Sequence, residues 1–109
     1  DAKAQEIMAA TAGIPVLAYP THNLGQLVAG LSLCDRVICG DGGAMHLAAG
    51  LGKPILCFFG KSDATRWHPW GVPHRILQPT SQNVSDISVE DAMTDFANLL
   101  DISLQTPEL

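Results

Sequence analysis

The sequence predicts an α/β fold in which a parallel sheet is flanked by helices. Short apolar segments alternate with segments of helical periodicity, which is the pattern of βαβ units. The apolar segments are continuously hydrophobic rather than alternating, as expected for strands that helices cover on both faces. The chain has 109 residues, 47% hydrophobic and 16% charged, so it is long enough for one small domain and too apolar to be disordered.

The first third of the chain predicts a helix, a strand and a second helix. Residues 3–12 have the composition of a helix that ends near Gly13, and residues 14–18 form an apolar strand, with a proline tolerable near its start. Asn23 and Gln26 have the spacing of a capping box. The helix that they begin is amphipathic, because apolar residues recur at i, i+3, i+4 and i+7, namely Leu24, Leu27, Val28 and Leu31.

The middle third predicts two further strands joined by a short helix. Residues 36–39 form a strand, residues 40–43 a tight turn, and residues 45–51 an alanine-rich helix that ends at Gly52. Residues 54–59 form the next strand.

The last third predicts a long loop, a short strand and a terminal helix. Residues 60–73 contain two glycines and two prolines and form the loop, and residues 74–77 form the strand. Ser88 caps the final helix. Its apolar face consists of Val89, Met93, Phe96, Ala97 and Leu100.

Charge and cysteine content narrow the functional classes. The net charge of −5 argues against nucleic-acid binding. Residues 42–75 nevertheless carry four Lys or Arg and one acidic residue, which suits either a small anion or an ordinary surface. Three cysteines without a C-x-x-C pair favour free thiols in the cytoplasm. No apolar segment approaches the roughly 20 residues of a membrane helix.

The most informative segment is the glycine-rich turn between the strand at 36–39 and the following helix. Ligands of parallel sheets bind at the carboxyl ends of strands, and a helix N-terminus there attracts phosphate. Gly42 and Gly43 allow close approach of a ligand to the backbone, and His46 is placed to donate to a phosphate oxygen. Asp41 could instead be only a helix cap, the glycines only a turn, and His46 only a surface residue. The spacing is not G-x-G-x-x-G, so no dinucleotide fingerprint is present.

The segment D-G-G-A-M-H-L-A-A-G-L-G-K-P-I-L-C-F-F-G, followed by R-W-H-P-W-G, resembles glycosyltransferase family 9, the ADP-heptose:lipopolysaccharide heptosyltransferases. That family typically reads D-[ST]-G-x-M-H-L-A-A-A-L-G-x-P, then a strand ending in F-G, then a loop with W-x-P. The resemblance runs from about Thr21 to Gly71. It implies that residues 1–109 are a partial, Rossmann-like C-terminal domain of a GT-B enzyme that binds the sugar nucleotide.

The resemblance also implies the reaction and its partners. The parent enzyme transfers heptose from ADP-heptose to the lipopolysaccharide inner core with inversion, without a cofactor or a required metal. The general base is expected in an N-terminal acceptor domain that this chain lacks, so no catalytic residue is assigned here. We expect a cytoplasmic enzyme and leave open its peripheral association with the inner membrane.

The site residues follow from the same resemblance. Those expected at the donor diphosphate form the turn and the first helical turn: Asp41, Gly42, Gly43, Ala44, Met45 and His46. Candidates for the rim of the donor site are Thr21, Leu24, Lys61 and Arg66. Gly42 replaces the usual Ser or Thr of the family, and Lys61 replaces a common Pro. Lys61 and Arg66 could equally be solvated surface residues, and Trp67 and Trp70 either stack on a ligand or pack within the protein.

The edge of the predicted sheet beside the strand at 36–39 has two possible partners. The strand at 14–18 either lies beside the strand at 36–39 or leaves an edge that pairs with a second copy of the chain.

Two other functions remain open. One is another GT-B transferase or epimerase with a different sugar nucleotide, and the other is a non-catalytic α/β module that binds phosphate or nucleotide.

Overall fold

Three parallel strands form the centre of the molecule. In this computed structural model, residues 2–105 are described, with side chains described for residues 2–101. Strands β1 (Val37–Gly40), β2 (Ile55–Phe58) and β3 (His74–Leu77) pair in the order β1-β2-β3. Cys39 lies opposite Cys57 in the register of β1 and β2. The predicted α/β class and the parallel sheet are therefore confirmed.

Five α-helices surround the sheet within the described residues: α1 (Ala2–Ala10), α2 (Leu24–Ser32), α3 (Gly43–Gly50), α4 (Ala64–Trp67) and α5 (Val89–Gln105). A single turn of 3-10 helix occupies Val84–Asp86. Helix α4 lies within residues 60–73, so the predicted long loop contains one turn of helix. None of the described helices is both long enough and apolar enough to cross a membrane.

The predicted helix boundaries are set by local hydrogen bonds. The side chain of Asn23 accepts from the Gln26 N–H at 2.9 Å and caps α2. The hydroxyl of Ser88 accepts from the Asp91 N–H at 3.0 Å and caps α5. Helix α3 ends in a Schellman motif at Gly52, whose φ is +77°, because the next N–H, at Lys53, donates back to the Ala48 carbonyl at 3.0 Å.

The core lies between α3 and the sheet. It consists of buried side chains from β1, β2, α3 and the residue after β2: Val37, Met45, Ala48, Ile55, Cys57 and Phe59. Strand β2 is buried along both faces because it is the central strand, and Leu56 is buried like its neighbours. Helix α5 packs against β3 and β2 and buries Leu99 completely.

The predicted apolar face of α5 is only partly correct. Phe96 and Leu100 are half-buried, but Val89 is 79% exposed and Met93 is 62% exposed. The face that meets the sheet instead centres on Leu99, next to an ion pair that Asp95 forms with Arg75 of β3 at 3.1 Å. The face of α5 that meets the sheet therefore differs from the one that apolar periodicity alone selects.

The predicted strand at residues 14–18 is wrong. These residues are exposed and belong to no strand, and the Val16 N–H donates to the Ile14 carbonyl at 2.7 Å, which is a tight three-residue turn rather than a sheet ladder. The expectation that this segment lies beside β1 is therefore also wrong, because β1 pairs only with β2 among the described residues. An apolar segment becomes a strand only where a partner strand accepts its hydrogen bonds.

Candidate functional site

The turn between β1 and α3 lies at the carboxyl edge of the sheet. The Asp41 N–H donates to the Phe58 carbonyl at 3.1 Å, which ties the turn to the end of β2. The N-cap residue of α3 is Gly42, and no side chain caps the helix. Asp41 therefore does not act as the helix cap that was one of its two interpretations.

The backbone of this turn presents several hydrogen-bond donors. The first bond of the α3 turn runs from the His46 N–H to the Gly42 carbonyl at 3.3 Å, so the N–H groups of Gly43, Ala44 and Met45 have no acceptor within the helix. A Cβ added to Gly42 or Gly43 would meet nothing within 4 Å. The space beside the turn is open, and the helix dipole adds a partial positive charge there.

The six predicted phosphate-site residues differ in exposure, and the two glycines, Gly42 and Gly43, are exposed. Asp41 and His46 are exposed and Ala44 is half-buried. Met45 is completely buried, and its sulfur accepts a hydrogen bond from the Cys57 thiol at 3.1 Å. The Met45 side chain therefore fixes α3 to β2 and does not face a ligand.

Two thiols, those of Cys39 and Cys57, lie near the Asp41 carboxylate of the turn. A hydrogen bond with Cys39, burial and the nearby Asp41 carboxylate all raise the pKa of the Cys57 thiol. Cys57 is therefore a neutral, buried thiol at physiological pH, and it serves packing rather than nucleophilic chemistry.

Aromatic rings connect the turn to α4. The rings of His46 and Trp67 meet edge to face with centroids 6.4 Å apart, and the Arg66 guanidinium lies 5.1 Å above the Trp67 ring. Trp67 is 48% exposed. The imidazole of His46 is thus held beside an exposed ring and a cation, at the open side of the turn.

A protein-family model covers most of this chain. The family model described as "Glycosyltransferase family 9 (heptosyltransferase)" matches residues 1–97. The chain belongs to glycosyltransferase family 9. The search of curated proteins gives no match.

A solved structure has the same fold as this family 9 chain. The crystal structure of the glycosyl transferase family 9 from Veillonella parvula DSM 2008 superposes with a TM-score of 0.78 at 23% sequence identity. The match covers 94% of the present chain and 34% of that protein. The family 9 chain therefore spans about a third of the length of its structural relative.

The four predicted rim residues do not form one group. The Arg66 guanidinium lies over the Trp67 ring, and that ring packs against His46 at the start of α3. Lys61 lines a separate cleft, together with Gln78 and other polar residues. Thr21 precedes α2 and is exposed, and Leu24 is 65% exposed.

Sequence reasoning missed how the loop after β2 is built. His68 Nδ1 lies 3.1 Å from the Ala64 carbonyl, and its ring packs between Trp70, at 4.3 Å, and His74, at 5.4 Å. The close spacing of Trp and His in this loop was the available signal, but only the fold shows which rings meet.

Within residues 2–105, no group of three His, Cys, Asp or Glu residues is arranged to hold a metal ion.

Proposed function

We propose that this family 9 chain binds the diphosphate of a sugar nucleotide at the N-terminus of α3. The observation that carries the proposal is the uncapped start of α3, where the N–H groups of Gly43 and Ala44 have no helical acceptor. The space beside the exposed Gly42 and Gly43 is open. Hydrogen bonds from backbone donors to charged oxygens are strong and need no side-chain ordering. The exposed His46 adds a further donor.

The Asp41 carboxylate has a different role in this proposal. An ionised carboxylate only accepts hydrogen bonds, so it cannot bind an ionised phosphate oxygen directly. Its contact with the ligand is with a hydroxyl or N–H group of the sugar nucleotide.

We propose further that the parent enzyme transfers heptose from ADP-heptose to the lipopolysaccharide inner core with inversion. Membership of family 9 and the family description as heptosyltransferases support this donor. The acceptor hydroxyl must lose its proton as it attacks the anomeric carbon, which requires a general base. In this proposal the base belongs to an acceptor domain outside the present chain, which is then a partial C-terminal domain of a GT-B enzyme located in the cytoplasm at the inner membrane.

The phosphate site is tested by two substitutions at the first position of α3. Gly43→Pro removes one N–H at a position where proline is well tolerated, whereas Gly43→Ala keeps that N–H. Both variants add a Cβ, so their difference isolates the backbone donor. We expect Gly43→Pro to bind ADP about tenfold more weakly than Gly43→Ala, as for loss of a hydrogen bond to a charged group.

Calorimetric titration with ADP, UDP and GDP tests the nucleotide. Preference for ADP supports the heptosyl donor, and preference for UDP or GDP favours a transferase or epimerase with another sugar nucleotide. Equal ADP affinities of the two Gly43 variants, with helix content retained in both, would refute the backbone site. Product formation from ADP-heptose and a lipopolysaccharide-core acceptor by the full-length protein tests the transfer itself.

The open edge of β1 supports one proposal about assembly. Among the described residues β1 pairs on one side only, and Ile38 within it is 53% exposed. We propose that this edge pairs with a second copy of the chain. Sedimentation analysis of the chain and of the Ile38→Lys variant tests this pairing directly.

A further inference from the structure

A second cleft opens on the same edge of the sheet, one strand further from the turn. It lies between residues 61–65, which follow β2, and residues 78–82, which follow β3, and its volume is about 510 Å³. Known ligand sites have volumes of roughly 300–1,000 Å³. The Phe59 N–H donates to the Leu77 carbonyl at 2.8 Å and joins the ends of β2 and β3 just before the two segments that form this β2–β3 cleft.

The lining of the β2–β3 cleft is polar but has no net charge. All but two of the lining residues, Ala64 and Pro79, have polar side chains. Lys61 is balanced by Asp63, and hydroxyl and amide groups supply the rest, from Ser62, Thr65, Thr80, Gln78 and Gln82. The lining carries no net positive charge that would favour a phosphate, and Asp63 already caps the start of α4. Too few apolar side chains line the cleft for it to hold a nucleobase. A mixture of donors and acceptors fits a neutral ligand that carries many hydroxyl groups.

Gln78 holds the two sides of the cleft in a fixed arrangement. Its Nε2 donates to the Gly60 carbonyl and to the Ser62 carbonyl, each at 2.8 Å. Because both partners are acceptors, the orientation of the amide is determined and Oε1 stays available to accept from a ligand. The loop after β2 is therefore ordered before any ligand arrives, which lowers the entropy cost of binding.

The opposite side of the cleft contains an unusual backbone conformation. Gln82 has φ +61° and is the one non-glycine residue between positions 2 and 105 with positive φ. Its N–H donates to the Pro79 carbonyl at 2.9 Å, and its own carbonyl lies 3.3 Å from the place where a Cβ on Gly60 would stand. Such conformations persist where the surrounding structure enforces them and are concentrated at ligand sites.

We infer that the β2–β3 cleft binds the hydroxyl-rich ring of a sugar. The inference rests on the proposed function, because the cleft lies at the same carboxyl edge of the parallel sheet as the turn that holds the diphosphate in that proposal. Neighbouring strands are about 5 Å apart, so a sugar linked to a phosphate at the end of β1, or an acceptor sugar beside it, reaches the end of β2. The cleft thus contributes to the choice of sugar, whereas the turn binds the phosphates.

The test follows backbone amide resonances of the complete 109-residue chain by NMR. The probes are ADP, ADP-heptose and a methyl heptoside added in the presence of ADP. We expect ADP alone to shift Gly43 and Ala44 and to leave Ser62 and Thr80 unchanged. If the Ser62 and Thr80 resonances shift with ADP-heptose but not with the methyl heptoside, the cleft binds the donor sugar. If they shift with the methyl heptoside, the cleft binds the acceptor sugar. If neither sugar moves these resonances, or if ADP alone moves them equally, the inference is overturned.

A variant provides the second measurement. Thr80→Val removes a hydroxyl at nearly constant volume, and Thr94→Val makes the same change on the exposed surface of α5. We expect Thr80→Val to lower the sugar affinity, measured from the concentration dependence of these shifts, about fivefold, which is the effect of losing one hydrogen bond. The affinity for ADP should not change. Thr94→Val should change neither the sugar affinity nor the ADP affinity. If the two variants bind the sugar equally well, the result counts against the cleft.

The two proposals fail in different ways. Loss of the sugar response with the ADP response at Gly43 intact contradicts the β2–β3 cleft alone. A sugar response at Thr80 without any ADP response at Gly43 contradicts the phosphate site and leaves the sugar cleft standing.

Discussion

Replacing Gly42 by serine tests the backbone of the phosphate turn. Serine or threonine is usual at this position in family 9, so the substitution restores the common residue. In this chain, however, Gly42 has φ +152° and ψ −166°, a region that is essentially restricted to glycine. Serine should therefore destabilise the protein even though it is the residue that the family pattern favours.

The magnitude follows from the backbone alone. A side chain at position 42 meets nothing within 4 Å, so no clash contributes. The strained conformation costs about 1–3 kcal/mol. Lower entropy of the unfolded chain offsets about 0.4–1 kcal/mol of that cost. The net loss lies between about 0 and about 2.6 kcal/mol. Its midpoint of about 1.3 kcal/mol lowers Tm by about 6 °C for 109 residues, at an unfolding entropy of about 2.1 cal/mol/K per residue.

Urea denaturation and thermal unfolding of Gly42→Ser and Gly43→Ala measure this effect. Gly43 lies in α3 without positive φ and has open space around it, so Gly43→Ala should be neutral or stabilising. The reasoning is refuted if Gly42→Ser equals or exceeds the wild-type stability, because serine would then be capping α3 from an ordinary extended conformation.

Three further predictions concern the packing around the sheet. Ser88→Ala removes the N-cap of α5 and should lower the free energy of unfolding by about 1 kcal/mol in urea; an unchanged midpoint would contradict the cap. A double-mutant cycle on Arg75 and Asp95, which pair at 3.1 Å, should give a coupling of about 0.5–1 kcal/mol that decreases in 1 M salt, and zero coupling would show that the pair does not orient α5. A neighbouring thiol and burial raise the pKa of Cys57, so Cys57 should react with iodoacetamide at pH 8 only after unfolding. The exposed Cys34 should react in the folded protein, and equal reaction rates of Cys34 and Cys57 before unfolding would contradict the prediction.

Much of the fold was predictable because its signals are local. Asn23 and Ser88 cap helices through hydrogen bonds to N–H groups three residues away, and Gly52 ends α3 through its own positive φ. The strand at His74–Leu77 has the predicted boundaries. The position of the glycine-rich turn at a strand end was predictable for the same reason, since strand, turn and helix are consecutive in the chain.

Family membership was also readable from the sequence, because the motif from Asp41 to Gly60 is continuous. The motif did not reveal that the Met45 side chain belongs to the core. One turn of helix places neighbouring residues on opposite sides, so a continuous motif combines ligand-facing and core-facing positions.

The tertiary structure decided what depends on partners distant in sequence. Residues 14–18 have the composition of a strand, but the fold gives them no pairing strand. Asp95 of α5 pairs with Arg75, twenty residues before it, and Gln78 bridges the β2–β3 cleft to Gly60. Capping and helical periodicity act over about four residues, so the sequence contains them directly. Strand pairing, helix orientation and cleft formation are determined by the contacts that remain available once the sheet has formed.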